Sequence, residues 1–351
     1  MNKKLLYKEL EEWYEVNHRI LPWRETEDPY KIWISEIILQ QTRVAQGMEY
    51  YHRLITRFPD IQSLADAAED EVLLYWQGLG YYSRARNMHK AAQLMKNHEI
   101  FHLSNVECLK LKDEEIFAAL KSMPGVGDYT AGAIASFAFD LPYPALDGNV
   151  YRVLSRLYDC EIAFDTTEGK KHFRKLAEDL LDREHPRLFN SAIMELGALH
   201  CVPTAPDCPT CPLNTWCKAL ANNTVELLPV RKPRPKVRDR YLEYTIYLTP
   251  ERTTLIHQRK GNDIWKHLWE FVCAERTGEE AIRRKEKGEK ILELTHVLSH
   301  QKLHARFVIK NVSELPKIPD TVVVSLNDLD NYAFSRLTLN AIEKLLIPHH
   351  S

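Results

Sequence analysis

The chain has 351 residues, 44% of them hydrophobic and 27% charged, which is the composition of a globular protein and excludes a wholly disordered one. Its length predicts two domains or more and excludes a small disulfide-rich module. The formal net charge of −2 at pH 7 indicates no polyanionic partner, so binding to DNA would need locally placed cations. No apolar run is long enough to span a membrane, and Glu9, Glu11 and Glu12 interrupt any signal-like segment, so we expect a cytoplasmic protein.

From residue 3 to about residue 220, apolar residues recur at three- and four-residue spacings, which predicts helices joined by short turns. A basic, proline-rich segment follows and is typical of a solvated linker. Apolar and polar residues then alternate, which predicts strands, before a final predicted helix over about 335–346. The predicted strands include residues 241–248, 253–258, 292–297, 305–309 and 321–324. We therefore expect an all-α domain over residues 1–221, a linker over 222–240 and an α+β domain over 241–351.

A Leu-Pro-Trp-Arg segment ending at Arg24 precedes a predicted helix over residues 33–42, in which apolar residues surround Glu36. A glutamate on an exposed face would have no chemical role. Burial among Ile and Trp would instead raise the pKa of Glu36 until its carboxyl could donate a proton near neutrality. A glycine-rich turn, Gly-Leu-Gly-Tyr-Tyr-Ser-Arg, follows at residues 78–84.

The segment Pro-Gly-Val-Gly at residues 124–127 predicts a tight turn between two helices. Because Gly125 and Gly127 have no Cβ, a DNA phosphate can approach the backbone N–H groups at the start of the second helix. Taken alone, the segment favours a plain helix–turn–helix corner. Asp147 follows about twenty residues later and, taken alone, is typical of a helix N-cap.

Four of the seven cysteines fall in one short proline-rich stretch with the spacing C-x6-C-x2-C-x5-C. They are Cys201, Cys208, Cys211 and Cys217. The expected reducing compartment disfavours disulfides, so the cluster predicts a metal centre. The residues alone leave zinc and an iron–sulfur cluster both open. Cys108, Cys160 and Cys273 are isolated and fit buried packing positions.

In this order along the chain, the motifs resemble the helix-hairpin-helix DNA glycosylases, and the first motif resembles the MutY adenine glycosylases among them. The resemblance implies a [4Fe-4S] cluster held by the four cysteines. It also implies that Glu36 is the catalytic acid and Asp147 the catalytic carboxylate, with Tyr129 and Asn149 beside them. Further implied contacts are Arg24 to adenine, Gln41 and Tyr81 to the duplex near the lesion, and Gly125, Val126 and Gly127 to phosphate.

The carboxy-terminal domain contains Leu-Trp-Glu-Phe at residues 268–271 and resembles the Nudix-like domain of the same family. Residues 278–293 do not reproduce the Glu-rich metal-binding signature of Nudix hydrolases, so phosphohydrolysis is disfavoured and lesion recognition is expected. The resemblance aligns Ser299 and His300 with a loop that contacts 8-oxoguanine. In that loop Leu298 replaces the Phe of the family.

Two further positions bear on specificity. Tyr129 occupies the place of the lysine that bifunctional relatives use to form a Schiff base, and a phenol supplies no amine. We therefore expect a monofunctional enzyme in which water attacks the sugar. Ser191 stands where relatives often carry Glu or Gln in the adenine pocket.

The sequence thus predicts a monomeric DNA N-glycosylase that removes adenine paired with 8-oxoguanine or guanine in duplex DNA, associates with the nucleoid and binds no membrane. One alternative is a pyrimidine-directed enzyme, either like endonuclease III or a thymine mismatch glycosylase. Tyr129 opposes the first of these, and the second domain opposes both. The other alternative is a non-catalytic mismatch sensor, which the presence of Glu36 and Asp147 disfavours.

Overall fold

The computed structural model describes residues 2–102, 111–233, 237–278 and 290–346. Cys108, Arg234, Lys236 and residues 279–289 of the segment compared with the Nudix signature lie outside these ranges. The chain divides into two compact units. The helical unit comprises Met1–Ala65 and Lys90–Pro233, and the sheet unit comprises Asp66–His89 and Arg234–Ser351.

The α-helices of the described residues are α1 (Lys3–Asn17), α2 (Pro29–Leu39), α3 (Val44–Arg57), α4 (Ile61–Asp66), α5 (Glu69–Trp76), α6 (Ser83–Met95), α7 (Asp113–Ser122), α8 (Asp128–Phe139), α9 (Gly148–Tyr158), α10 (Thr167–Leu180), α11 (Pro186–Leu199), α12 (Lys218–Ala221) and α13 (Arg336–Leu345). The strands are β1 (Arg238–Leu248), β2 (Thr253–Gln258), β3 (Trp269–Arg276), β4 (Lys290–Val297), β5 (Gln301–Asn311) and β6 (Thr321–Ser325). None of these helices is long and apolar enough to cross a membrane.

The helical unit is built around helices that are apolar on nearly every side. Residues 130–139 of α8 are all buried, and α2 is buried from Pro29 to Ile38 except at Lys31. Small residues permit this packing, since a Cβ on Gly132 would lie 2.6 Å from the Pro144 carbonyl oxygen. A second core joins α1, α9, α10 and α11, where Leu10, Leu154 and Phe173 are almost fully buried. Two rigid cores therefore support the residues at the ends of α2, α8 and α9.

The sheet unit has six strands in the order β4-β5-β1-β3-β2-β6. Strands β1 and β5 are parallel, and every other pairing is antiparallel. The rings of Tyr244 on β1 and Phe307 on β5 stack with their centroids 4.5 Å apart. They lie over a core that α13 covers with Leu337 and Ala341.

The predicted fold class, an all-α domain followed by an α+β domain, is confirmed. The predicted boundaries at residues 221 and 241 stay a prediction.

Residues 66–89 contact the strand-rich part of the sheet unit by specific hydrogen bonds. The Tyr82 hydroxyl donates to the Phe334 carbonyl at 3.2 Å, and the Phe334 N–H donates to the Gln77 side chain at 2.7 Å. Arg86 Nη1 donates to the Lys266 carbonyl at 2.8 Å. The glycine-rich turn at residues 78–84 is therefore part of the sheet unit.

Candidate active site

Glu36 lies on α2 and is only 2% exposed. Its Oε2 accepts a hydrogen bond of 2.8 Å from the Tyr129 hydroxyl on α8. Burial raises the pKa of the Glu36 carboxyl, whereas the charge of Arg24 and the Tyr129 hydrogen bond act to lower it. Because the net shift is upward, Glu36 holds its proton to higher pH than an exposed glutamate and is suited to act as an acid.

Asp147 is the N-cap residue of α9, as the residue pattern predicted. Its Oδ1 accepts from the backbone N–H groups of Asn149 (2.9 Å) and Val150 (2.8 Å), and its Oδ2 accepts from the Asn149 amide at 2.8 Å. Burial raises the pKa of Asp147, while these hydrogen bonds oppose the rise. The charge of Asp147 also raises the pKa of Glu36, which indicates that the two carboxyl groups are neighbours. The site therefore joins a carboxyl group whose burial favours its protonated form to a second carboxyl group held by three donors.

Arg24 brings a fixed positive charge to the same site. Its Cζ lies 3.7 Å from the centroid of the Phe137 ring, and its Nη2 lies 3.8 Å from the Met194 sulfur. The charge of Arg24 lowers the pKa of both Glu36 and Tyr129, although burial raises both more strongly. A guanidinium stacked on an aromatic ring has a defined plane, so Arg24 can present its edge to a planar base.

Ser191, at the position where relatives often carry Glu or Gln, is buried on α11. Burial raises the pKa of the Tyr14 hydroxyl, whereas the charge of Arg24 and the Ser191 side chain act to lower it. Ser191 thus places a small hydroxyl, close to Tyr14, at this position.

A second layer of contacts supports Asp147 from the far side of Asn149. Arg152 Nη2 donates to Asn149 Oδ1 at 3.0 Å and also to the Gly197 carbonyl, and its Nε donates to the Cys201 carbonyl at 2.6 Å. Gly197 packs closely here, because a Cβ on it would lie 2.7 Å from Asn149 Cβ. Arg152 therefore ties the amide that holds Asp147 to the beginning of the cysteine loop.

The hairpin between α7 and α8 has the tight geometry that its glycines allow. Gly125 has a φ of +80°, in the region that favours glycine, and Gly127 is the N-cap of α8. The Val126 N–H donates to the Met123 carbonyl at 3.0 Å within the turn. Asp128, the first residue of α8, forms ion pairs with Lys121 and with Arg174 (3.1 Å). First-turn N–H groups lack acceptors inside the helix, so this end of α8 suits an anion.

The four clustered cysteines, Cys201, Cys208, Cys211 and Cys217, are all free thiols and line one cavity. Arg156 on α9 also lines it, with Nη1 3.4 Å from Cys201 Sγ, and donates to the Val202 carbonyl at 2.8 Å. Among the described residues, no group of three or more His, Cys, Asp or Glu side chains is arranged to hold a single metal ion. Four thiols lining one cavity form a ligand set that either zinc or an iron–sulfur cluster accepts. Cys160 and Cys273 pack against the two core clusters instead.

The sheet unit has a cavity of about 520 Å³ between three of its segments. Residues 78–83 form one wall, residues 263–265 a second and residues 296–300 a third. Tyr81 is 49% exposed at this cavity, and Ser299 and His300 lie in the turn that joins β4 to β5. Leu298 also lines the cavity, and it packs in part against the core of the sheet unit. The structure thus brings Tyr81, Ser299 and His300 together.

Comparisons with known proteins decide the family. The model of the HhH-GPD superfamily of base excision DNA repair proteins matches residues 34–182, and the NUDIX domain model matches residues 244–344. An adenine DNA glycosylase of Buchnera aphidicola subsp. Baizongia pistaciae is 34% identical over 340 residues, covering 93% of this chain and 93% of that protein. The chain belongs to the adenine DNA glycosylase family. The expected enzyme class, a DNA N-glycosylase, is thereby confirmed.

Solved structures agree on the fold of this adenine DNA glycosylase family member. A thermostable thymine-DNA glycosylase has a TM-score of 0.54 at 24% identity, covering 63% of this chain and 97% of its own. A non-covalent endonuclease III–DNA complex has a TM-score of 0.50 at 21% identity, covering 64% of this chain and 98% of its own. At these identities the likeness shows the fold alone.

The helical unit brings together several of the residues that the sequence predicted for the active site of this family member. They are Arg24, Glu36, Tyr129, Asp147 and Asn149. Gln41 lies in the same unit just after α2, exposed and with a φ of +58°. Sequence reasoning did not identify Tyr14, Arg152 or Gly197. Each is an ordinary helical residue in the sequence, and only the three-dimensional contacts mark it out.

Proposed function

We propose that this chain is a monofunctional adenine glycosylase of base excision repair that acts on adenine opposite 8-oxoguanine or guanine in duplex DNA. The observation that carries the proposal is a pair of carboxyl groups, in which the buried Glu36 is hydrogen-bonded to Tyr129 and the partly buried Asp147 is held by Asn149 and the start of α9. Two carboxyl groups in different environments can hold opposite protonation states, as glycosidic bond cleavage requires.

Glu36 is the proton donor in this proposal. Protonating N7 of adenine withdraws electron density from the glycosidic bond and makes the base a better leaving group. An ordinary glutamate would be ionised at neutral pH, so the upward pKa shift from burial is what keeps the proton available. The adenine must leave the stack to reach the buried carboxyl, and in this proposal Arg24 and Asn149 contact it there.

Asp147 takes the opposite role. As the glycosidic bond breaks, positive charge develops on the sugar, and an ionised carboxylate stabilises it. Three hydrogen bonds and the N-terminus of α9 favour the ionised form and fix its orientation. Water then attacks the anomeric carbon and leaves an abasic site. Tyr129 offers no amine for a Schiff base, and its hydroxyl is engaged with Glu36, which supports hydrolysis without strand cleavage.

The cysteine loop holds a [4Fe-4S] cluster in this proposal, with Cys201, Cys208, Cys211 and Cys217 as ligands. Such a cluster cross-links the loop and supplies no step of adenine hydrolysis, which needs no electron transfer. Arg156 lies beside the Cys201 sulfur and would partly neutralise the negative charge of four thiolates.

Binding to duplex DNA divides between the two units. Gly125 and Gly127 offer backbone N–H groups to a phosphate at the start of α8, while the Val126 N–H is used within the turn. In the sheet unit, the cavity beside Ser299 and His300 receives the 8-oxoguanine, with Tyr81 at its edge. Ser299 and His300 both have polar groups suited to the added oxygen and N–H of that lesion. Such an enzyme would act as a monomer on nucleoid DNA in the cytoplasm.

The first test is incubation of the purified protein with a duplex that contains one adenine opposite 8-oxoguanine. We expect free adenine and a strand that breaks only after alkali. Breaks without alkali would contradict the monofunctional assignment, and tight binding without adenine release would favour the sensor.

Variants then test the two carboxyl groups. Glu36→Gln and Asp147→Asn should abolish adenine release while the duplex stays bound, because phosphate contacts and chemistry lie on different residues. The matched controls are Glu27→Gln on the surface of the same unit and Asp159→Asn at the other end of α9. Both controls should keep full activity. Loss of binding in step with catalysis would contradict these roles.

The cluster is tested by iron content and the visible absorption of iron–sulfur centres, which zinc does not show. Cys211→Ser should lose both signals, and Cys160→Ser should keep them. Stoichiometric zinc without visible absorption would contradict the cluster.

The lesion-reading role is tested by Ser299→Ala, which should reduce the preference for 8-oxoguanine over guanine. A point variant is better than deletion from about residue 240, because residues 66–89 pack in the same unit.

A further inference from the structure

Arg240 on β1 uses all five of its side-chain N–H groups. Nε and Nη2 donate to the two carboxylate oxygens of Glu275 at 2.8 and 2.7 Å. Nη1 and Nη2 donate to the two oxygens of Asp263 at 2.9 and 2.8 Å, and Nη1 also donates to Gln301 Oε1 at 3.0 Å. A guanidinium has five donors in one plane, so this arrangement satisfies it completely. Arg240 is 8% exposed, which strengthens each of these bonds.

Two of the three partners flank the cavity that contains Ser299 and His300. Asp263 begins the wall formed by residues 263–265. Gln301 directly follows His300, and the turn is closed there because the Leu298 N–H donates to the Gln301 carbonyl at 2.7 Å. The backbone of β1 adds a further contact, since the Arg238 N–H donates to the His300 carbonyl at 3.2 Å. Arg240 therefore connects two of the segments that border the cavity through one rigid group.

The wall that Asp263 begins has an unusual backbone. Trp265 has a φ of +59° and His267 a φ of +66°, a region that bulky residues rarely adopt. Such conformations persist only where neighbouring contacts over-determine them, and they cluster at ligand sites. Arg259 supplies several of these contacts. It donates to Asp263 at 3.0 Å and to the Ile264 carbonyl at 3.1 Å, and its carbonyl accepts from the His267 N–H at 2.7 Å.

An aromatic contact links the wall at residues 263–265 to the strand that leads into the turn with Ser299 and His300. The rings of Trp265 and His296 meet edge to face, with centroids 5.7 Å apart. His296 lies on β4, which leads directly into the turn with Ser299 and His300. A change in the position of Asp263 would therefore alter both the width of the cavity and the support of the turn.

We propose that Arg240 is a positioning residue for lesion recognition: by holding Asp263 and Gln301 together, it fixes the separation between the Trp265 wall and the Ser299–His300 turn. The inference rests on the lesion-reading role proposed above for the sheet unit. Arg240 is not among the described residues that line the cavity. It therefore acts through its partners and does not touch the base. Loss of the guanidinium would also remove the cation that Asp263 and Glu275 share; Asp263 would keep its ion pair with Arg259, but nothing would then hold it to Glu275 and Gln301.

The experiment compares single-turnover adenine release from duplexes with adenine opposite 8-oxoguanine and opposite guanine. Arg240→Met should lower the ratio of the two rate constants by about tenfold, through loss of the rate for 8-oxoguanine, because misplaced contacts cost about that much or more. The rate opposite guanine should change little. Arg240→Lys should restore only part of the ratio, since one ammonium does not span two carboxylates. Arg276→Met, which removes a guanidinium paired with Glu243 on the same sheet, is the matched control and should keep the wild-type ratio.

A second measurement separates positioning from simple stabilisation. Duplex dissociation constants in the Glu36→Gln background should show the same selective loss for 8-oxoguanine. If Arg240→Met does not fold, Asp263→Ala carries the test, because Asp263 is more exposed and its loss leaves the Arg240–Glu275 pair intact. An unchanged ratio in a folded variant, or an equal fall of both rates, would overturn the inference.

Failure of the inference is distinguishable from failure of the proposed function. If the wild-type protein releases no adenine, or shows no preference for 8-oxoguanine, the proposed function fails and the inference fails with it. If the wild-type protein has the preference and Ser299→Ala loses it while Arg240→Met keeps it, only the positioning role of Arg240 is wrong.

Discussion

The Tyr129 hydroxyl donates to Glu36 Oε2 across 2.8 Å, although the two residues are 93 positions apart in the sequence. A donor to a carboxylate stabilises its ionised form, so this bond lowers the pKa of Glu36 while burial raises it. The charge of Arg24 and the Tyr129 hydrogen bond therefore together limit how far burial raises the pKa of Glu36.

This balance predicts the effect of Tyr129→Phe on the pH profile. In the mechanism proposed above Glu36 must be protonated to act, so the rate of adenine release should fall as pH rises through its pKa. Removing the donor raises that pKa further and should move the alkaline limb upward by about one pH unit, the equivalent of one hydrogen bond. Single-turnover rates measured between pH 5 and about pH 10 check this. A limb that stays in place or moves to lower pH would contradict the proposed role of Tyr129.

The same raised pKa predicts that Glu36 reduces the stability of the fold at alkaline pH. A carboxyl whose pKa is higher in the folded state than in the unfolded state binds its proton more tightly when folded. Stability is therefore lost as pH rises from the unfolded pKa toward the folded one, at about 1.4 kcal/mol for each unit of difference. Glu36→Gln should raise the thermal unfolding midpoint at pH 8 and change it little near pH 4. Equal shifts at both pH values would indicate a packing effect instead.

The sequence was sufficient for much of the fold because local patterns specify it. Alternation of apolar residues predicted β1, β2 and β6 nearly to their ends, and the Asp147 N-cap was predicted from a single residue type before a helical pattern. Strand β3 was not among the predicted strands. It has the buried, charged Glu270 between Trp269 and Phe271, and Arg259 pairs with that carboxylate at 2.8 Å. An ion pair between two residues 11 positions apart leaves no periodic signal in the sequence.

Much of the site depends on contacts between distant segments. The sequence identified Glu36 and Tyr129 by resemblance, but nothing local predicts that they share a hydrogen bond. The inclusion of residues 66–89 in the sheet unit is also a tertiary fact, because α5 and α6 have ordinary helical patterns. Arg240 was assigned to a solvated linker, and the structure contradicts that assignment. It lies within β1 and is buried, because two carboxylates and an amide satisfy its guanidinium.

The contacts of Arg152 predict a loss of catalysis when its side chain is shortened to an apolar one. In Arg152→Met, the Asn149 carboxamide loses a donor, and the carbonyls of Gly197 and Cys201 lose theirs. Because Asn149 holds Asp147 Oδ2, adenine release should fall on the order of tenfold or more, as expected when a reacting group is poorly oriented. Duplex affinity should be retained. Arg152→Lys should recover only part of the rate, since one ammonium does not reach all three acceptors. A full rate in Arg152→Met would contradict the positioning of Asp147 through Asn149.

Gly197 offers a steric test of the same support. A Cβ at this position would lie 2.7 Å from Asn149 Cβ and 3.0 Å from the Asn149 backbone carbon and oxygen, so Gly197→Ala requires the start of α9 to move. Overpacking of this kind costs about 1–3 kcal/mol, and the movement should also displace Asp147 and slow adenine release. Urea unfolding and single-turnover rates measure the two effects. Leu199→Ala, two residues further along α11 and 41% exposed, is the control and should alter neither strongly. If Gly197→Ala loses stability but keeps the wild-type rate, the contact with Asn149 supports the fold without orienting Asp147.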